Sequence, residues 1–184
     1  LLGILLGQNG ENKSGFSSGT SELEIIDLGC GDGTLTVEMA KFATSVIGVD
    51  FNPDMLASAR QRIDRLGLQN VKLLAEDAGN LSLPAESLDV VFFSQSLHHL
   101  DNPQRGFQEA ARILRPGGKV LVMELATHSE EWVLEKLGHK WLGFEKETLH
   151  DFMHTAGFSN LYSQILPFRR EELFQIILAA GSKT

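Results

Sequence analysis

From Leu23 onward, short apolar runs alternate with longer stretches whose apolar side chains recur at three- and four-residue spacing. The runs predict strands and the longer stretches predict amphipathic helices. The strand series is Leu23–Ile26, Ser45–Asp50, Val71–Ala75, Leu88–Phe93 and the K-V-L-V-M-E-L run that ends at Leu125. Leu88–Phe93 is almost wholly apolar, as expected of a strand covered on both faces. Helices are predicted over Thr34–Phe42, Pro53–Leu66, Pro103–Leu114, and about residues 130–142 and 145–156.

The second helix is well punctuated. Asn52 is a good N-cap, Pro53 suits the first helical position, and Gly67 stands where a C-terminal glycine belongs. Met55, Leu56, Ala59, Ile63 and Leu66 share one of its faces. R-P-G-G, Arg115–Gly118, reads as a turn. N-L-Y-S-Q-I-L and L-F-Q-I-I-L-A-A, joined through P-F-R-R-E-E, read as a closing antiparallel pair. Five strands linked by helices, plus this pair, predict an α/β fold with a doubly wound, Rossmann-like, mostly parallel sheet and helices on both faces. Ligands bind such sheets beyond the carboxyl ends of the strands, so the residues after each strand are the informative ones.

Composition narrows the setting. A chain of 184 residues, 42% hydrophobic, supports one domain. We place it at residues 23–184; residues 1–22 read as the end of a helix followed by a flexible Gly/Ser-rich linker. Sixteen basic against 24 acidic residues give a net charge of −8, which disfavours direct nucleic-acid binding and leaves room for a small cationic ligand. No apolar run reaches the length of about 18 residues that a membrane span requires. The single cysteine, Cys30, rules out an intramolecular disulfide and fits a reducing cytoplasm.

The candidate chemistry centres on D-L-G-C-G-D-G, Asp27–Gly33, at the first strand-to-helix turn. A dinucleotide fingerprint, G-x-G-x-x-G counted from Gly29, would need its third glycine at position 34, which is Thr34. Asp32 in that loop would also repel a pyrophosphate. S-adenosylmethionine carries a sulfonium cation and no phosphate, so the loop favours the methyl donor over a nicotinamide dinucleotide. Asp50, ending the second strand, suits a carboxylate that grips a ribose diol.

D-L-G-C-G-D-G, V-I-G-V-D-F-N-P-D-M-L, A-E-D-A, D-V-V-F-F-S-Q-S-L-H-H-L and L-R-P-G-G-K-V-L-V-M-E together resemble the ordered motifs of class I S-adenosylmethionine-dependent methyltransferases. The resemblance implies a seven-stranded sheet with the last strand antiparallel and S-adenosyl-L-methionine as cofactor. It also implies that Gly29, Gly31 and Gly33 line the cofactor, with Cys30 a small packing residue within the loop. Asp27 would lie beneath the loop near the methionine end, and Asp50 would hold the ribose with Phe51 beside the adenine. Asp77 would accept from the adenine amino group, Ala78 would supply a backbone contact, and Ser94 and Gln95 would border the methionine moiety. H-S-E-E-W-V-L-E-K-L-G-H-K-W-L-G-F, His128–Phe144, is similar to a segment of methyltransferases fused to an arsenic-repressor-type winged-helix regulator. That implies a regulator domain N-terminal to this chain as partner.

Methyl transfer needs orientation and desolvation first, and a base only where the acceptor must lose a proton. His98, His99 and Glu124, with His128 behind them, are the candidate catalytic groups after the fourth and fifth strands. Adjacent side chains point apart on a strand, so at most one of His98 and His99 is expected to face the site. His150 and His154 stand four apart on a helix, but no third ligand is evident and no metal is expected. A lone thiol also speaks against an arsenic(III) acceptor, which wants several thiolates. Trp132, Trp141, Leu142 and Phe144 are either an apolar lid over the acceptor or core packing for a late helix. The function expected is methylation of a small, partly hydrophobic acceptor, without membrane or nucleic-acid partners. The alternative is a silent module that senses S-adenosylmethionine for an attached regulator.

Overall fold

The structure is a computed structural model that describes residues 22–167 and 173–184. The elements run β1 (Glu24–Leu28), α1 (Thr34–Met39), β2 (Ser45–Asp50), α2 (Pro53–Leu66), β3 (Val71–Ala75), β4 (Leu88–Ser94), α3 (Pro103–Ile113), β5 (Leu114–Leu125), α4 (Trp132–Lys136), α5 (Lys146–Thr155), β6 (Phe158–Ile165) and β7 (Ile176–Lys183). One seven-stranded sheet has the order β3-β2-β1-β4-β5-β7-β6. Its first five strands pair in parallel, and β7 runs antiparallel to both β5 and β6. The expected doubly wound sheet with an antiparallel last strand is therefore present. Residues 1–21 and Phe168–Glu172, which hold most of the proposed linker and the connection within the closing pair, lie outside the described residues.

Alternation along β4 builds both sides of the core. Val90 and Phe92 pack with Ile25, Val46 and Leu121 on one face, which Met39 of α1 covers. Val91 and Phe93 pack on the other face with Phe107 and Ile113 of α3 and Leu149 and Met153 of α5. Asn52 caps α2, its Oδ1 accepting from Asp54 N (2.9 Å) and Met55 N (3.4 Å), and Gly67 ends that helix at φ 65°. Asn102 and Pro103 start α3 in the same way, Asn102 Oδ1 accepting from Arg105 N at 3.3 Å. Among the described residues no helix is long and apolar enough to cross a membrane.

Three boundaries differ from the sequence reading. The helix expected over 130–142 is confined to Trp132–Lys136, because Gly138 (φ 69°), just past its C-cap, takes a left-handed conformation that ends it. The first helix stops at Met39 rather than Phe42. R-P-G-G lies inside β5 as an irregularity: Leu114 pairs with Leu88, then the register shifts so that Lys119 pairs with Val90. The two glycines of that segment let the strand bulge without leaving the sheet.

Candidate functional site

The loop after β1 is fastened to its neighbours by backbone hydrogen bonds. Gly29 N and Cys30 N both donate to Val49 O of β2 (2.8 and 2.9 Å). Gly31 N donates to Asp50 Oδ2 and Asn52 N to Asp50 Oδ1, each at 2.8 Å, so one carboxylate ties the loop to the start of α2. All three loop glycines have positive φ: 79° at Gly29, 53° at Gly31 and 76° at Gly33. Their surroundings differ. A Cβ at Gly29 would stand 2.3 Å from Ser96 Cβ, and one at Gly33 would stand 3.0 Å from Ala59 Cβ. A Cβ at Gly31 would meet nothing within 4 Å. Gly29 and Gly33 are therefore required by the packing of the protein itself, and only Gly31 fronts the open crevice.

Asp27 lies beneath this loop, 1% exposed. Its Oδ2 accepts from Thr36 Oγ1 at 2.6 Å, while Oδ1 is buried with no partner among the described residues. Burial pushes its carboxyl up from 3.8 to about 6, against the lowering effect of the Thr36 hydroxyl and with Asp50 adding to the rise. Cys30 is buried, and burial together with Asp27 and Asp50 pushes its thiol up to about 12, so it is a packing residue and no nucleophile.

Asp32 serves the protein. Its Oδ1 accepts from Thr34 N (3.1 Å) and Thr34 Oγ1 (2.7 Å), its Oδ2 pairs with Arg62, and its backbone carbonyl accepts from Arg62 Nε at 3.1 Å. The charge expected to repel a pyrophosphate is thus shared with Arg62. The glycine spacing, and not Asp32, carries the argument against a dinucleotide.

The remaining cofactor candidates line the carboxyl edge of the sheet. Phe51, directly after Asp50, is 73% exposed, an uncovered aromatic face beside the crevice. Asp77 follows β3; its Oδ1 accepts from Gly79 N at 2.8 Å and so shapes its own turn. Ala78 is buried in the core layer beneath. Ser94 ends β4 opposite Met123, and Gln95 donates its N–H to Met123 O (2.7 Å) at a φ of 50°, a left-handed conformation unusual for glutamine. Ser96, which the sequence reading missed, fixes this turn to the loop. Its Oγ donates to Leu28 O at 2.6 Å and its Cβ fills the space that Gly29 leaves.

The histidines lie close together, although only one of the adjacent pair is exposed. His98 and His99 sit on the short 3-10 turn Leu97–His99, where backbone curvature brings both rings to 4.3 Å between centroids. His139, absent from the sequence reading, joins them at 4.1 Å from His98 and 5.0 Å from His99. The bond from Lys140 N to His98 O, at 2.7 Å, holds that later segment in place. Burial first, then the neighbouring His98, holds the His99 ring below the usual histidine range, and burial with His98 and His99 takes His139 down to about 4.

Glu124 lies under the turn with no exposure at all. Its Oε1 meets His98 Nδ1 at 2.5 Å and accepts from its own neighbour Leu125 N at 2.7 Å. Its Oε2 accepts from Leu97 N (2.9 Å) and His98 N (3.3 Å). Sealed from the crevice, Glu124 is a positioning residue that holds His98, and not the catalytic group expected of it. Of the pair above it, His98 is buried and His99 exposed.

The aromatics divide between the two roles considered. Phe144 is buried and stacks on Trp141 at 5.7 Å, and Trp141 Nε1 donates to Leu100 O at 2.9 Å, so both belong to the core. Trp132 remains partly exposed, its Nε1 donating to Glu130 Oε2 at 2.8 Å. A cavity of about 260 Å³ opens beside Gln95, lined also by Leu125, Leu173, Phe174 and Ile176. The His128 ring rests against Phe174 at 4.6 Å, with its Nε2 buried and unpartnered among the described residues.

A crevice at the carboxyl edge of β1, β2 and β4, with a buried acid beneath its loop and an open pocket beside it, is the site the sheet order predicts. The family description "Methyltransferase domain" matches residues 26–122. Demethylmenaquinone methyltransferase of Clavibacter sepedonicus is 33% identical over 103 residues, 56% of this chain and 41% of that protein. The crystal structure of the YcgJ protein of Bacillus subtilis superposes with a TM-score of 0.78 at 16% identity, covering 90% of this chain and 94% of that one. A SAM-dependent methyltransferase from Thermotoga maritima gives a TM-score of 0.70 at 28% identity, covering 89% and 83%. The chain spans about two-fifths of the length of the curated relatives it first matches. With motifs, sheet order and crevice in agreement, the chain belongs to the methyltransferase domain family.

Proposed function

We propose that the chain is an S-adenosyl-L-methionine-dependent methyltransferase of the cytoplasm that alkylates a small, partly hydrophobic acceptor. The observation that carries this reading is the pairing of Gly31, open to the crevice, with the unmet buried oxygen of Asp27 below it. That combination suits a cationic amino acid moiety laid across bare main chain. The donor, when bound, supplies a methyl group already activated on a sulfonium.

The chain's own residues then bind and orient. Asp50 has one hydrogen bond on each oxygen and keeps lone pairs for two vicinal hydroxyls. Phe51 offers an uncovered face to a base, and Asp77 keeps Oδ2 for an exocyclic amine. The open pocket beside Gln95, whose walls include Leu125, Leu173, Phe174 and Ile176, offers apolar contacts to an acceptor such as the quinone named in the Clavibacter relative. His99, the exposed ring of the cluster, is the group available to an acceptor that must shed a proton. The resemblance of residues 128–144 to regulator-fused methyltransferases supports a winged-helix partner domain.

Calorimetric titration with S-adenosylhomocysteine, followed by transfer of a labelled methyl group to a panel of hydroquinones, tests the reading. Cofactor binding and labelled product are expected. Binding of NAD instead, or no affinity for either adenosyl compound, overturns it.

A further inference from the structure

We propose that His98, His99 and His139 form a binding site for one divalent transition-metal ion, with zinc favoured by the donor set. One ligand nitrogen from each of the three rings lies within 4.8 Å of the others. A tetrahedral zinc with Zn–N bonds of about 2.0–2.1 Å brings its nitrogens to about 3.4 Å, within reach of small side-chain rotations. Two ligands come from one short turn and the third from a distant segment, clamped together by the Lys140 N to His98 O bond.

Two further features point to an ion and not to incidental stacking. His139 is 8% exposed, its ring 4.1 Å from His98 and 5.0 Å from His99, and its Nδ1 is buried with no partner among the described residues. His98 meets the buried carboxylate of Glu124 through Nδ1, which fixes the ring and leaves Nε2 as the outward nitrogen. A carboxylate behind a histidine is the usual arrangement around a ligating imidazole, setting tautomer and direction. Three imidazoles with no cysteine nearby suit zinc and its first-row neighbours, and disfavour calcium or magnesium, which take oxygen ligands. With three protein ligands a fourth position stays open, to water or to an acceptor oxygen. The site would occupy the lone pair on which a base role for His99 depends. An acceptor hydroxyl bound at the open position would have its pKa lowered by the ion's charge and would release its proton to solvent water.

The test uses tag-free, metal-stripped protein titrated with Co2+ and then displaced with Zn2+. One equivalent of cobalt is expected to give the visible absorption of a four-coordinate site, which zinc abolishes. His139→Ala and His99→Ala should each weaken zinc binding by about 100-fold or more, and Glu124→Gln by about 10- to 100-fold. His139→Gln serves if an alanine variant loses its far-ultraviolet circular dichroism. S-adenosylhomocysteine affinity of the metal-free protein, measured alongside, separates failure of this site from failure of the cofactor reading. Absence of the cobalt spectrum, or unchanged zinc affinity in the His139 and His99 variants, overturns the proposal. So does loss of binding in His150→Ala instead.

Discussion

Replacing Asp27 by asparagine removes a charge that the fold holds out of water. The native carboxyl titrates at about 6 rather than 3.8, chiefly through burial. That difference corresponds to about 3 kcal/mol of penalty on the charged form. Between those two values the native state holds more protons than the unfolded chain, so stability falls as pH rises through the window. The penalty is complete above it and absent below about 3.8. Asp27→Asn keeps an acceptor for the Thr36 hydroxyl but puts an amide NH2 at the position of the unmet Oδ1, which costs about 1 kcal/mol or more. The ligand-free variant should therefore exceed the parent in stability by about 1–2 kcal/mol at pH 8, an advantage lost by pH 4. Urea unfolding followed by circular dichroism at several pH values measures this. In the same variant, affinity for S-adenosylhomocysteine should drop about 10- to 100-fold, as a charge-assisted hydrogen bond is lost. A stability difference independent of pH would refute the charge-burial argument. Unchanged cofactor affinity would remove Asp27 from the site.

The loop glycines should separate by cause. Gly31→Ala, strained by its φ of 53° but free of any clash, is expected to fold and to lose cofactor affinity by intruding on the open crevice, while Gly29→Ala should destabilise the protein further, with or without ligand, because Ser96 Cβ stands 2.3 Å away. Ser96→Gly should recover part of the Gly29→Ala loss in thermal unfolding, and no recovery would refute the contact. Asp50→Ala should weaken cofactor binding by about 1–3 kcal/mol and lower stability as well, since it frees two backbone donors; calorimetry and unfolding read the two effects separately. Glu124→Ala strands His98 and the Leu97, His98 and Leu125 N–H groups in a buried setting, so a loss of about 3–5 kcal/mol in urea unfolding is expected.

Much of this was legible along the chain. The strands Ser45–Asp50 and Val71–Ala75 and the helix Pro53–Leu66 match the apolar pattern and its caps, because strand alternation, helical spacing and Asn-Pro or glycine boundaries act over neighbouring residues. The expected helix over 130–142 is cut short because Gly138 turns the chain just past Lys136. Asp27, Gly31 and Asp50 stand out along the chain because they lie near the end of β1, in the loop after it and at the end of β2.

The sequence by itself determined the order of strands and helices, the glycine loop and the acids beside it, since short-range sterics and hydrophobic periodicity write those into consecutive residues. Tertiary structure alone decided that Ser96 and Ala59 account for two of the glycines, leaving Gly31 to front the crevice. It also decided that Glu124 is sealed beneath His98, and that His139 crosses forty-one residues of chain to complete the histidine cluster. Such contacts depend on how separate elements pack against one sheet, and no local pattern encodes which side chains will meet there.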